Sequence, residues 1–556
     1  MEHIWVKNYQ EGVHAEVDVT RYANLHDILW KSIQKYPQKP AFSCMGKTKT
    51  YAEMGDLVNQ FASFLQNHLK LERGERVALM MPNILQYPVA LFGVLQAGLI
   101  VVNVNPLYTP RELEHQLNDS GATTIVVLEN FAHTLQQALP KTAVKNIVIV
   151  RLGDLLGSLK GFLVNFAVRR IKKMVPEYQL ENTILFNEAL SIGSQKPFQK
   201  IDVHLDDLAF LQYTGGTTGI AKGAMLTHGN MCANMLQGLE WVHSVLKEGQ
   251  ETVITALPLY HVFSLTVNFM LFIALGGHDV LIVNPRDLNG FIKEFKKYPV
   301  TFFSGVNTLF NALLHHPDFS SIDFSTWKLI ASGGMSLQKS VADRWQKATG
   351  LPLIEAYGLT EASPGVCIQD LSVSAYDGSI GYPIPNTAVQ LRDIQGNEVP
   401  LGEAGELWVK GPQVMKGYWQ RPHETEQVLQ NGWLATGDIA TMDEKGRIRL
   451  VDRKKDMIVV SGFNVYPNEV EDVVASMPQV REVACVGVPS EKTGEALKLF
   501  VVKNDFSLTE QEIIDYCRQE MTAYKVPRII EFRDELPKTS VGKIMRRALR
   551  QENTES

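Results

Sequence analysis

Short apolar runs alternate with stretches of helical periodicity from Asn24 to about Leu450. The runs "RVALMMP", "TTIVVLEN" and "KNIVIVRLG" carry almost unbroken hydrophobicity, as strands covered on both faces require. The pattern predicts a layered α/β body with several parallel strands. The most apolar window, "VALFGVLQAGLIVVNVNP", is interrupted by Gln96 and Asn103 and closes on a proline. It reads as a buried helix followed by a buried strand, not as a bilayer span.

The texture changes at "GRIRLVDRKKDMIVVSGFNVYPNEVE", where the charged knot Asp452-Arg453-Lys454-Lys455-Asp456 separates two strand-like runs. Beyond it Pro467 sits at a helix start, with Val470, Val473 and Val474 on one face. Strand-like "EVACVGV" and "LKLFVVK" follow, then a helix opened by the capping-box spacing Thr509 to Glu512, then "RIIEFRDEL". Residues 452–556 are expected to form a small α+β domain, with 1–451 as the larger body.

One segment stands apart. "LKGFLVNFAVRRIKKMV", Leu159 to Val175, holds Lys160, Arg169, Arg170, Lys172 and Lys173 and no acid, interleaved with Phe162, Leu163, Phe166, Ile171 and Met174. Either it is a surface helix whose apolar stripe packs on the body, or it is an interfacial helix drawn to anionic lipid headgroups. Arg170 falls within the apolar stripe, so the faces are imperfect.

Composition mainly excludes. A chain of 556 residues is too long for one core, and 45% hydrophobic with 21% charged residues describes an ordinary globular protein. A net charge of −6 gives no reason to expect nucleic acid as partner. The cysteines, Cys44, Cys232, Cys367, Cys485 and Cys517, are scattered without a CxxC pair, which argues for a reducing compartment and against a zinc site. No signal-peptide pattern opens the chain, so a cytoplasmic location is expected.

Four stretches carry chemistry. "YTGGTTGIAKG", Tyr213 to Gly223, is dense in backbone N–H groups and hydroxyls suited to phosphate. Lys222 precedes Gly223, and strand-like "AMLTHGN" with turn signals at His228 to Asn230 follows. The stretch is therefore a clamp between two strands and not a Walker A loop, or else a structural glycine-rich turn. "EAYGLTEAS" offers Tyr357 beside Gly358 for stacking a base, and Thr360 and Glu361 as hard oxygens for Mg²⁺; the alternative is a core tyrosine at a strand end. In "NGWLATGDIATMDEKGRIRLVDRKKDM", Asp438 can accept from a ribose diol and Arg453 can bind phosphate or ribose oxygens, or the two are a turn-former and a solvated linker. In "PKTSVGKIMRRAL", Lys543 follows a glycine, either as a catalytic cation or as one lysine of a basic tail.

Together these stretches resemble the adenylate-forming superfamily of acyl-CoA synthetases, luciferases and peptide-synthetase adenylation domains, over nearly the whole chain. "MPNILQYPVALFGVLQAGLIVVNVNPLYTPRELEHQLNDSGA" and "GVNTLFNALL" look like bacterial long-chain fatty acid–CoA ligases. The resemblance implies a body with mixed sheets and a mobile C-terminal domain. It implies a reaction in which a fatty acid attacks ATP to give acyl-AMP and pyrophosphate, and CoA then displaces AMP. By the same resemblance Tyr213, Thr214, Gly215, Gly216, Thr217, Thr218, Gly219 and Lys222 hold the outer phosphates. Thr214 and Glu361 engage Mg²⁺. Tyr357, Gly358 and Thr360 frame the adenine, and Asp438 and Arg453 hold the ribose. Lys543 reaches the carboxylate and the α-phosphate. His261 of "LPLYHVF" flanks the acyl site. "SGVN" and "SGGM", the latter with Gly333 and Gly334, line the pocket. Asp452 sits at a hinge, beyond which Gly462 and Phe463 flank the CoA tunnel. Free CoA is favoured as acceptor because no carrier domain is expected after Lys543. The expected partners are a long-chain fatty acid, ATP and CoA, with peripheral contact to the inner face of the cell membrane through 159–175; a homodimer is compatible with the resemblance. A carrier-loading enzyme, a lipid-binding protein with a regulatory nucleotide loop, and a conventional ATPase are the alternatives.

Overall fold

The computed structural model describes residues 3–214, 221–461, 463–490, 492–539 and 542–552. The runs read as buried strands are strands: Arg76–Met80, Thr124–Leu128 and Asn146–Val150 lie side by side and parallel. They form the middle of a seven-stranded sheet that is parallel until its last pair, the hairpin Leu208–Thr214 with Lys222–Thr227. The apolar window folds as expected into the helix Gln86–Gln96, buried at every position, and the strand Ile100–Asn103.

A nine-stranded sheet lies beside it, with Thr252–Thr255, Phe302–Gly305, Leu329–Ser332 and Ile354–Gly358 parallel in its centre. Helix Gln86–Gln96 and helix Tyr51–Ser63 fill the space between the two sheets, where Phe61, Phe64, Phe92 and Phe269 are fully buried. A five-stranded antiparallel sheet follows and ends in Ile448–Arg453. The chain then passes between Arg453 and Ile458 into a separate sheet built from Ile458–Val460, Phe463–Val465, Val480–Ser490, Gly494–Lys503 and Ile529–Arg533. That sheet has its own core around Val470, Val474, Leu499 and Ile513. Thr509 caps helix Glu510–Glu520 in the expected capping box, with Glu512 reaching back to the Thr509 N–H at 2.8 Å.

One local expectation is corrected and one open alternative is narrowed. His228 to Asn230 is not a turn: Thr227 accepts the Asn230 N–H at 3.0 Å and opens the long helix His228–Val242. The basic segment is helical over Ser158–Phe166 and Ala167–Ile171, but its apolar stripe does not pack on the body. Leu159, Phe162, Leu163, Phe166 and Ile171 are exposed, whereas Gly161 and Val168 are buried.

Candidate active site

A cavity of about 2000 Å³ opens between the body and the C-terminal sheet. Thr214 and Lys222 face each other across the hairpin and both line it. The loop between them, with Gly215, Gly216, Thr217, Thr218 and Gly219, lies outside the described residues, as does Gly462. Tyr213 anchors the base of the hairpin: its hydroxyl donates to Asp119 at 2.7 Å, and Arg421 donates to the other oxygen of that carboxylate at 2.9 Å.

The parallel strand Ile354–Gly358 ends at the cavity with Tyr357 and Gly358, and the turn Thr360–Ala362 then presents Thr360 and Glu361. Gly358 is required by close approach, since a Cβ there would stand 2.2 Å from the Pro364 carbonyl oxygen. The Tyr357 hydroxyl donates to Asp438 Oδ2 at 2.6 Å; burial first, and the Asp438 carboxylate second, push this phenol well above its usual range. Asp438 and Arg453 are cross-strand partners, with Arg453 Nε 3.3 Å from Asp438 Oδ1. An aromatic, a carboxylate and a guanidinium thus share one wall.

His261 caps the helical run 262–274, its Nδ1 accepting the Phe263 N–H at 3.3 Å. Burial and the nearby Lys543 cation hold its imidazolium down at about 4. The ring is therefore neutral at pH 7, with its proton on Nε2. Past His261 the cavity turns apolar along Val267, Leu271, Met235 and Gly238. A glycine inside a helix costs about 1 kcal/mol against alanine. Here a Cβ would meet only Leu271 at 3.2 Å, so Gly238 widens the channel. Gly334 lines the cavity at φ +78°, whereas Gly333 does not and packs instead against Phe263 and the Ala356 carbonyl.

Lys543 enters from the C-terminal side. Its loop is closed by the Thr539 N–H donating to the Lys543 carbonyl at 2.7 Å. Thr308 of the body donates to the Gly542 carbonyl at 3.0 Å and docks that loop on the body. Gly542 has φ +85°, and a Cβ would lie 2.7 Å from Thr308 Oγ1. Burial, then the Arg453 cation, lower the Lys543 ammonium to about 8. Behind it Arg546 donates to both oxygens of Glu471, at 2.8 and 2.5 Å, and to Asp452 at 3.3 Å. Asp452 also accepts the Asn468 N–H at 2.8 Å, so the segment joining the two sheets is tied through Asn468 to the helix Pro467–Ala475 and through Arg546 to the helix that follows Lys543. Sequence reasoning missed Thr308, Arg546 and Tyr418, whose hydroxyl donates to Glu361 Oε1 at 2.7 Å. Only Arg546 carried a signal, as part of the basic run after Lys543.

A polar chamber, an apolar arm and a lysine from the C-terminal part in one cavity are the features of an enzyme that activates an acid with a nucleotide. The family model described as AMP-binding enzyme matches residues 29–419, and that of the AMP-binding enzyme C-terminal domain matches 469–543. The chain belongs to the AMP-binding enzyme family. It is 57% identical to the long-chain-fatty-acid–CoA ligase of Yersinia pestis over 552 residues, 99% of this chain and 98% of that protein. It is 56% identical over the same shares to the enzyme of that name from Escherichia coli O6:H1. Among solved structures, the anthranilate CoA ligase AuaEII in complex with anthranoyl-AMP matches with a TM-score of 0.86 at 27% identity, covering 97% of this chain and 99% of that one.

Proposed function

We propose that the chain is a long-chain fatty acid–CoA ligase. The fatty carboxylate attacks the α-phosphorus of ATP, the bond to pyrophosphate breaks, and acyl-AMP forms. The CoA thiol then attacks the acyl carbon, AMP leaves, and the thiol proton is lost to solvent. The observation that carries this reading is the meeting of Lys543, the Tyr357–Asp438–Arg453 wall and the apolar arm in one cavity. A free carboxylate is a poor electrophile, and adenylation needs a cation where two anions are brought together. Lys543 is that cation, between carboxylate and α-phosphate. Tyr357 packs on the adenine, Asp438 and Arg453 hold the ribose, and Lys222 with the 214–219 loop holds the outer phosphates. His261 offers its Nε2 proton on the acyl side. Long chains are supported by the names of the relatives and by the arm past Gly238.

The donor set fits Mg²⁺: Tyr418 occupies Oε1 of Glu361 and leaves Oε2, and the Thr214 hydroxyl lines the same cavity. Bound there, the ion supplies charge neutralisation at the phosphates. We take 1–451 as the body and 452–556 as a mobile domain that turns about Asp452 after adenylation, withdrawing Lys543 and admitting CoA past Phe463. No helix among the described residues is long and apolar enough to cross a membrane. Contact with the inner face of the cytoplasmic membrane is assigned to the exposed stripe of 159–175.

Separated half-reactions test the proposal. Lys543→Ala should abolish most pyrophosphate release from ATP and fatty acid, yet retain thioester formation from supplied acyl-AMP and CoA. Equal loss of both steps would contradict the role given to Lys543.

A further inference from the structure

Residues 412–419 form a strap that touches both polar ends of the phosphate chamber. Asn230 Nδ2 fixes its start, donating to the Pro412 and Val414 carbonyls at 2.8 and 2.9 Å. The Met415 N–H donates to the Glu361 carbonyl at 2.8 Å. The Met225 N–H donates to the Gly417 carbonyl at 2.9 Å, and the Trp419 N–H to the Gly223 carbonyl at 2.8 Å, so the strap runs beside the strand that begins at Lys222. At its end the Tyr418 hydroxyl donates to Glu361 Oε1 at 2.7 Å, while Lys222 Nζ stands 5.2 Å from the Tyr418 ring centroid. One side chain therefore touches a carboxylate through its hydroxyl and an ammonium through its face.

We propose that Tyr418 is a positioning residue for the nucleotide phosphates and their cation. The hydroxyl fixes the rotation of the Glu361 carboxylate, leaving Oε2 for the metal, as outer-shell donors do for ligating carboxylates. The ring attracts Lys222 by a cation–π contact. The inference rests on the reading of Glu361 as a cation ligand.

The test is Mn²⁺ binding in the presence of a non-hydrolysable ATP analogue, followed by electron paramagnetic resonance without fatty acid or CoA. Tyr418→Phe keeps the ring and loses the hydroxyl. It should weaken Mn²⁺–nucleotide binding by about 10–100-fold. The melting temperature and thioester formation from supplied acyl-AMP should stay at wild-type values. Glu361→Gln should weaken binding as strongly, and adding Tyr418→Phe to it should have no further effect. Wild-type binding by Tyr418→Phe beside weak binding by Glu361→Gln overturns the role of Tyr418 alone. Wild-type binding by both overturns the cation reading and the proposal with it. A lowered melting temperature with equal loss of both half-reactions reduces Tyr418 to a packing residue and also overturns the proposal.

Discussion

Lys543 and Arg453 are both cations, and their proximity in a desolvated cavity has a measurable consequence. Burial and Arg453 lower the Lys543 ammonium to about 8, and the charged form is the one its proposed role in adenylation requires. Pyrophosphate release at subsaturating ATP should therefore fall as pH rises through about 8. Bound ATP adds negative charge that favours the ammonium, so at saturating ATP the fall should move to higher pH. Thioester formation from supplied acyl-AMP should lack this limb. A limb shared by both half-reactions, or none, would contradict the assignment. Among single residues, Lys543, Glu361, Asp438 and Arg453 stood out in the sequence, but residue type left each with a structural alternative and only the family resemblance gave it a role; the fold brings all four to one cavity. Tyr418 did not stand out: its partner Glu361 is 57 positions away, and a tyrosine in a loop has no periodicity to mark it.

The basic helix shows where pattern reading stops at the element scale. Its existence was plain, but which face meets the body was not. Gly161 makes the close contact, since a Cβ there would lie 2.4 Å from the Gly153 carbonyl oxygen. Hydrophobic periodicity assigns the body-facing side to the large apolar residues and cannot register a contact made by a bare backbone. The outcome is an outward stripe in which Phe162 is 66% and Phe166 50% exposed, their rings stacked at 6.3 Å. Arg169 reaches Glu129 at 4.0 Å yet stays 46% exposed, and Arg170, Lys172 and Lys173 are exposed beside it at the end of the stripe. A basic residue near an anionic surface contributes about 1 kcal/mol at low salt, and salt screens it. Replacing Arg170, Lys172 and Lys173 by glutamine should remove the salt-sensitive part of binding to anionic vesicles. Phe162→Ser with Phe166→Ser should weaken what remains at high salt. Vesicle flotation measures both, and unchanged binding by both variants would exclude this helix as the contact.

The whole molecule is four sheets around one cavity, three in the body and one in the C-terminal part, and the α/β alternation announced the layered body. The strands that carry Thr214 and Tyr357 end at the cavity, as parallel sheets open ligand crevices at their carboxyl edges, and the antiparallel sheet closes one side with Asp438 midway along its strand Trp433–Met442. The docking of Lys543 was not legible. It depends on Thr308 meeting Gly542 across 234 positions, and on Arg546 bridging Asp452 and Glu471 behind the loop. Such contacts arise only when two separately folded parts meet. The same cluster ties the inter-sheet segment to the lysine, as a domain that must turn and carry Lys543 with it would require. This assembly joins a long acyl chain to CoA at the expense of ATP. The most direct measurement follows products from ATP, Mg²⁺ and CoA with fatty acids of increasing chain length. AMP and pyrophosphate in equal amounts with acyl-CoA, at rates highest for long chains, are the predicted result. ADP and phosphate, or no turnover with any fatty acid, would contradict it.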